Sequence, residues 1–301
     1  MILKEVTLQN FRNYPSLSVS FSDGINVFLG ENAQGKTNLM EAIYALALAR
    51  SPRTSNEKEM IRWQEDSAKI TGKIQKRVST FPLEIIFSKK GKIAKVNHLE
   101  QKKLSQYIGQ LNVVLFAPED LNLVKGAPAN RRKFLDMELG QMNPVYLHDL
   151  VQYQRILKQR NLYLKQLVTG KAKDEVYLDV LTEQLAILGA DLLVYRLQFI
   201  KKLEAWAQPL HKEISLEREE LTIAYKSNVE LSDEMDKDAL FLKLMEAFKQ
   251  GKSRERDQAV TLFGPHRDDL VFQVNGRNVQ NFGSQGQQRT AILTMKFSSL
   301  K

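Results

Sequence analysis

Ile25-Asn26-Val27-Phe28-Leu29-Gly30-Glu31-Asn32-Ala33-Gln34-Gly35-Lys36-Thr37 is the stretch on which the reading of the fold turns. Gly30 to Thr37 fits G-x-x-x-x-G-K-[ST] at every fixed position. Ile25 to Leu29 is a compact apolar run of the kind that makes a buried strand. Leu39, Ile43, Leu46 and Ala47 then repeat at helical spacing, which predicts a helix from about Lys36 to Ala49. Strand, glycine-rich loop and helix, in that order, are the context a phosphate-binding loop requires. Glycines let successive N–H groups turn toward the phosphates of a nucleotide. The positive end of the helix dipole adds to that field. In such a loop Lys36 reaches the β- and γ-phosphates, and the Thr37 hydroxyl ligates Mg²⁺. Gly30, Glu31, Asn32, Ala33, Gln34, Gly35, Lys36 and Thr37 are therefore the candidate ATP-binding residues. The bland alternative is a glycine-rich turn that happens to contain Lys-Thr; the flanking strand and helix weigh against it. A P-loop fixes nucleotide binding but not the class of machine.

Outward from this loop the chain falls into three parts. Up to about residue 120 it is mostly β. Ile2, Val6 and Leu8, then Leu17 and Val19, lie in β-favouring runs. Leu83, Ile85 and Phe87 alternate, the turn is Ser88 to Lys92, and Ile93 to Val96 returns, which predicts a hairpin. Val113 to Phe116 is a further short apolar strand. The middle part is helical. No proline interrupts Val145 to Gln208, and Pro144 and Pro209 bracket it. Leu150, Tyr153, Leu157, Leu164 and Leu167 form one helical stripe, and Val168 to Lys171 is the break. Leu181, Leu185, Leu188, Leu192, Tyr195 and Phe199 form a second, coiled-coil-like seam. Two long helices joined by a short turn make an αα-hairpin, and the stripes are read as packing only. A polar stretch follows from Ser227 to Asp238, then a short helix near Leu240 to Lys249, and Gly251 to Asp257 reads as a linker. The last part is β again: Leu270, Phe272 and Val274 alternate, Asn275-Gly276 is a hairpin turn, and Val279 is placed on the return strand.

Near the C-terminus Ser284-Gln285-Gly286-Gln287-Gln288-Arg289-Thr290 precedes an apolar helix containing Ala291, Ile292, Leu293 and Met295. Serine, glycine and glutamine there are similar to the signature motif of ABC-type ATPases, which caps a helix and binds the γ-phosphate of nucleotide held by another protomer. Taken alone, Ser284 with Gln287 is also an ordinary capping box.

With these motifs in place the chain resembles the RecF family of bacterial DNA replication and repair proteins. The resemblance runs over most of its length: Leu8 to Tyr14, the P-loop, Ala49 to Ser55, Phe116 to Leu121, Val124 to Pro128 with Arg131-Arg132, Gly264-Pro265-His266-Arg267-Asp268-Asp269, and Ser284 to Thr290. It implies a mixed α/β fold, an ABC-type P-loop ATPase head with an inserted helical arm. The head would comprise residues 1–120 and 258–301, and the arm 121–257. ATP with Mg²⁺ would be sandwiched in an ATP-dependent homodimer, held by Lys36 and Thr37 of one subunit and Ser284, Gly286 and Gln287 of the other. The implied partners are DNA, single-stranded or gapped duplex, and recombination-mediator proteins. The implied ATPase is slow and DNA-stimulated, with recombinase loading at gaps as its role.

ABC-type heads carry a Walker B strand after the signature helix, with acidic residues that hold Mg²⁺ and polarise water. The sequence given reaches Lys301 just as that helix begins, so it is expected to be truncated or interrupted, with hydrolysis impaired or absent and no catalytic residue assignable. Phe134-Leu135-Asp136 is the one earlier apolar-then-acid candidate considered. Two other functions are weighed: a small-molecule P-loop kinase, against which the Ser284 motif counts, and a DNA-binding scaffold with a vestigial nucleotide site.

Composition agrees with this reading. The 301 residues are 43% hydrophobic and 26% charged, ordinary for a globular chain. A net charge of +9 favours a polyanionic partner or serves solubility. The absence of cysteine excludes disulfides, zinc-thiolate sites, iron–sulfur clusters and thiol catalysis and suits a reducing cytoplasm. His98, His148, His211 and His266 show no ligand spacing. His266 is weighed as catalytic against a simple turn residue. No segment is long and apolar enough to span a bilayer, so a soluble cytoplasmic protein is expected. Arg50, Arg53, Lys89, Lys90, Lys92, Lys102, Lys103, Arg131 and Arg132 form the region-level expectation for DNA contact, with no individual residue assigned.

Overall fold

The computed structural model describes residues 1–232 and 235–299. Two residues of the expected polar stretch, Asp233 and Glu234, lie outside the described residues, as do Leu300 and Lys301. The chain divides into two compact units, one of Met1–Leu115 with Gly140–Pro144 and one of Phe116–Leu139 with Val145–Lys301.

The first unit is built on a six-stranded antiparallel sheet. Its strands are β1 (Ile2–Phe11), β2 (Tyr14–Ser20), β3 (Ser67–Gln75), β4 (Thr80–Ser88), β5 (Gly91–Val96) and β6 (Leu99–Glu100), in spatial order β2-β1-β3-β4-β5-β6. The alternation at Leu83, Ile85 and Phe87 buries all three, and Ser88 pairs with Gly91 to close the expected hairpin. α1 (Lys36–Leu48) carries Leu39, Ala42, Ala45 and Leu46 into the core of this unit. A short helix, α2 (Leu104–Tyr107), buries Tyr107, whose hydroxyl donates to the carbonyl of Leu46 at 2.5 Å.

Two expected strands of this unit do not form. Ile25 to Leu29 is irregular, and Ile25 and Leu29 are each 90% exposed. Asn26 explains part of this. Its carboxamide accepts from the backbone N–H and hydroxyl of Ser22 and donates to the carbonyls of Ser22 and Gly24, which holds a local turn instead. Among the described residues no strand pairs with the segment, and a strand without a neighbour has no partner for its backbone groups. At Val113 a side chain replaces the ladder: Gln141 Oε1 accepts from the Val113 N–H at 2.8 Å and its Nε2 donates to the Val113 carbonyl.

The second unit is mostly helical. It contains α3 (Leu121–Lys125), most of α4 (Pro128–Met142), α5 (Pro144–Val168), α6 (Glu175–Ile214), α7 (Lys237–Gln258), α8 (Val279–Phe282) and α9 (Gln285–Ser298). A small antiparallel sheet joins β7 (Leu221–Lys226), β8 (Asp269–Val274) and β9 (Arg277–Asn278) in that order. One core runs through it, from Leu150 and Tyr153 of α5 and Leu185, Leu192 and Phe199 of α6 to Leu244 of α7, Phe272 of β8 and Ile292 of α9.

The helical hairpin forms as expected, with three corrections nearby. α6 does not stop at Pro209 but runs through it. Pro209 is exposed, while Leu203, Ala207 and His211 stay buried on the opposite side. That packing outweighs the roughly 3 kcal/mol a proline costs inside a helix. Gly251 to Asp257 is no linker but the last turns of α7, where Gly251 and Glu255 continue the buried stripe of Leu240, Leu244 and Phe248. Val279 begins α8 and lies off the return strand, because Asn278 caps that turn by accepting from the Gln280 N–H at 2.8 Å.

A buried ion pair joins three elements of this unit. Arg160 of α5 donates to Thr182 of α6 at 2.9 Å, to Thr261 at 2.8 Å and to Glu255 of α7 at 2.5 Å. The second Glu255 oxygen accepts from the Leu262 N–H at 2.7 Å. Among the described residues no helix is long and apolar enough to cross a membrane.

Candidate nucleotide-binding site

The P-loop lies in the first unit, between the irregular segment and α1. Gly35 caps α1 with a φ of +100, in the left-handed region that favours glycine. Space there is as restrictive as the backbone. A Cβ on Gly35 would stand 2.5 Å from Tyr14 Oη and 2.9 Å from Asn13 Nδ2. The β1–β2 turn thus holds the loop closely against the start of α1. Asn13 also accepts from Asn38 Nδ2 of α1 at 2.8 Å.

The loop satisfies its own groups. Lys36 Nζ donates to the carbonyls of Gly30 and Glu31, each at 2.6 Å. Gln34 Oε1 accepts from the Glu31 N–H at 3.1 Å. The ammonium is therefore already curled within the ring that would surround a phosphate. Glu31, Asn32, Ala33, Gln34 and Thr37 are exposed. Among the described residues no group of three or more His, Asp or Glu could hold a metal ion. Thr37 is exposed, and its hydroxyl would supply one oxygen to Mg²⁺, an ion that keeps waters and takes other ligands from phosphates.

One group that the sequence did not single out organises this site. Glu41, one turn into α1, is 1% exposed. Arg12 donates to it through two nitrogens at 2.6 and 3.0 Å, Ser51 at 2.5 Å and Arg53 at 3.3 Å. Burial alone would raise its pKa; the hydrogen bonds from Arg12 and Ser51 and the charges of Arg12 and Arg53 outweigh burial and hold it below the usual carboxylate value. Arg12 and Arg53 lie in two of the stretches that carry the family resemblance, and those stretches were the available signal.

Ser284, Gly286 and Gln287 come together in the second unit, at the start of α9. Ser284 Oγ accepts from the Gln287 N–H at 3.2 Å, and Gln287 Oε1 accepts from the Ser284 N–H at 2.9 Å. This is a reciprocal capping box. Ser284 and Gly286 are exposed. Gln287 Nε2 donates to Glu219 at 3.0 Å, and Glu219 is in turn 3.2 Å from His211 of α6. Burial is the main influence on His211 and lowers its pKa, so the ring is neutral near pH 7. Farther along α9, Lys296 is paired with Asp120 at 2.6 Å. Nearby Glu138 of α4 is pushed up by burial to about 7 although the Lys296 charge opposes the shift.

The Gly264 to Asp269 stretch faces inward. His266 Nε2 lies 3.3 Å from the Thr261 carbonyl, which makes it the donor, so Nδ1 accepts from Tyr153 Oη at 2.6 Å. Burial lowers its pKa to about 4, and a neutral, fully engaged ring on a turn fits the structural alternative. Asp268 accepts from Tyr225, Ser227 and the Asn228 N–H. Asp269 accepts a bidentate pair from Arg131 at 2.7 and 2.9 Å.

Arg131 is 3% exposed, so it is withdrawn as a DNA contact; its charge is spent on Asp269. Lys92 is likewise engaged, with Glu57, and Lys89 with Asp66. Lys90, Lys102 and Lys103 are exposed. Phe134-Leu135-Asp136 is not a strand ending in a metal ligand. It lies within α4, and Asp136 accepts from Arg196 at 2.7 Å and from Tyr146 at 2.5 Å.

A family model described as an AAA ATPase domain matches residues 1–253. A DNA replication and repair protein RecF from Enterococcus faecalis is 58% identical over 301 residues, covering 100% of this chain and 80% of the relative. The Bacillus subtilis protein of that name is 54% identical over 300 residues, covering 100% and 81%. A solved structure of the recombination mediator protein RecF with ATP, described as belonging to the RecFOR pathway, superposes with a TM-score of 0.93 at 32% identity, covering 99% of this chain and 81% of that one. An Smc head domain with an extended coiled coil, from Pyrococcus furiosus, gives a TM-score of 0.52 at 15% identity, covering 99% and 78%, a likeness of fold alone. On its sequence identity over the whole length and its fold, this chain belongs to the RecF family of DNA replication and repair proteins.

Proposed function

We propose that this chain is an ATP-dependent DNA-binding protein of recombinational repair, in which ATP joins two heads and thereby raises affinity for DNA. In this reading residues 1–120 and 258–301 act as the head and 121–257 as the arm. Gly30 to Thr37 cradle the phosphates, Lys36 bridging the β- and γ-phosphates and Thr37 holding Mg²⁺. Ser284, Gly286 and Gln287 of a second copy close over the γ-phosphate. Recombination-mediator proteins and single-stranded or gapped duplex DNA are the partners, and recombinase loading at gaps is the outcome.

The observation that carries the reading is the exposed, pre-capped start of α9. Ser284 and Gly286 are exposed, and of the first-turn N–H groups, which lack i−4 carbonyl partners within a helix, that of Gln287 is already taken by Ser284 Oγ. Such an end is suited to an anion supplied from outside.

Ser284→Arg tests this. It should leave ATP affinity unchanged and abolish ATP-dependent dimerisation in sedimentation velocity runs. Losing the cap costs α9 only about 1 kcal/mol, so the fold should persist by circular dichroism. Dimers that still form with ATP would rule out the sandwich.

A further inference from the structure

We infer that the outer face of α5 is a docking surface for the phosphate backbone of duplex DNA; this rests on the DNA-binding reading above. From Leu150 to Lys173 the sequence carries six basic residues and no acidic one. Arg155, Lys158 and Lys165 are exposed, and their spacing sets them on one helical face with Leu162 between. Among the described residues none of the three enters an ion pair. Lys171 and Lys173 continue the positive charge past the end of α5.

The neighbouring acids are drawn elsewhere. Glu175 and Asp179 of α6 pair with Lys252 and Arg256 of α7, and Glu255 is taken by the buried Arg160. Asp174 caps α6 by accepting from the Val176 N–H. Asp149, at the start of α5, lies beside Lys237 and His148. Glu183 of α6 is exposed, and among the described residues it enters no ion pair. The hairpin thus neutralises its α7 side and leaves its α5 side positive.

The row selects among polyanions. Arg155 to Lys165 spans about 15 Å of straight helix, against a duplex that presents one phosphate charge per ~1.7 Å of axis. Proteins that hold single strands stack bases on aromatic side chains. The aromatic residues of α5 are not offered for this: Tyr146 and Tyr153 are buried, and Tyr163 packs edge-on against Tyr177 while its hydroxyl donates to the Asp174 carbonyl. A regular charged row without stacking platforms fits a duplex backbone and predicts sequence-independent contact.

The test is fluorescence anisotropy with a labelled 30-base-pair duplex, titrated over salt, on the whole chain with ATP. Combined Arg155→Gln, Lys158→Gln and Lys165→Gln should lower duplex affinity on the order of a hundredfold at 0.1 M salt and reduce the slope of log K against log salt by about 2–3. ATP affinity should not change. A second triple variant, Lys201→Gln, Lys202→Gln and Lys212→Gln, removes the same charge from exposed positions of α6 and should have a much smaller effect. Equal losses in the two variants, or unchanged binding in the first, would overturn the assignment while leaving the DNA-binding reading standing. Failure of the unsubstituted chain to bind duplex or single-stranded DNA even at 50 mM salt would overturn both.

Discussion

Lys36→Ala is expected to weaken ATP binding by at least about a hundredfold. The side chain sits inside the loop, with its ammonium 2.6 Å from two loop carbonyls. A phosphate entering that ring meets a charge already in position. Two charge-assisted hydrogen bonds to phosphate oxygens, at about 1.5–3 kcal/mol each, set the size of the loss. The fold should survive, because the loop is largely exposed and α1 is held through Gly35, Asn38 and Glu41 instead. Calorimetric titration with ATP measures the effect. An affinity equal to that of the unsubstituted chain would place the nucleotide elsewhere.

Glu255→Ala should destabilise the second unit by about 3–5 kcal/mol, the cost of leaving a buried charge without its counter-ion. Arg160 is 2% exposed and Glu255 fully buried, and the pair ties α5, α7 and the Thr261–Leu262 segment together. The guanidinium also lies 4.9 Å from the Phe248 ring centroid. Removing both charges at once, as Arg160→Met with Glu255→Leu, should recover much of the loss, since apolar residues of similar volume often replace buried pairs at little cost. Urea unfolding of the two variants measures the difference. A loss below about 1 kcal/mol in Glu255→Ala would mean that water reaches Arg160 after the substitution.

The same pair shows where sequence reading stops. A stretch as polar as Gly251 to Asp257 looks like a linker because charge is normally exposed. Its helical continuation depends on Arg160, a residue 95 positions before Glu255, and no local pattern reports that partner. Ile25 to Leu29 fails for the complementary reason. Its composition is right for a strand, but strand formation needs a neighbouring strand, and Asn26 turns back on Ser22 instead. Elements set by local chemistry were legible. The Ser88 to Gly91 turn, the helix starting at Lys36 and the Ser284–Gln287 box each follow from residues within a few positions of one another. The eight P-loop positions were readable as a motif, whereas Glu41 was not, because its role comes from Arg12, Ser51 and Arg53, brought to it by the β1–β2 turn and the segment after α1. The basic residues of α5 drew no expectation from the sequence, because only the pairing of Glu175 and Asp179 with α7 shows that they are left unneutralised.

In the proposed function ATP controls DNA affinity. The most direct measurement is the affinity of the whole chain for gapped duplex DNA at one fixed salt concentration, with and without ATP and Mg²⁺. Binding should be about 5–150-fold tighter with ATP, the usual range of coupling between two linked sites. Equal affinity in the two conditions would contradict it.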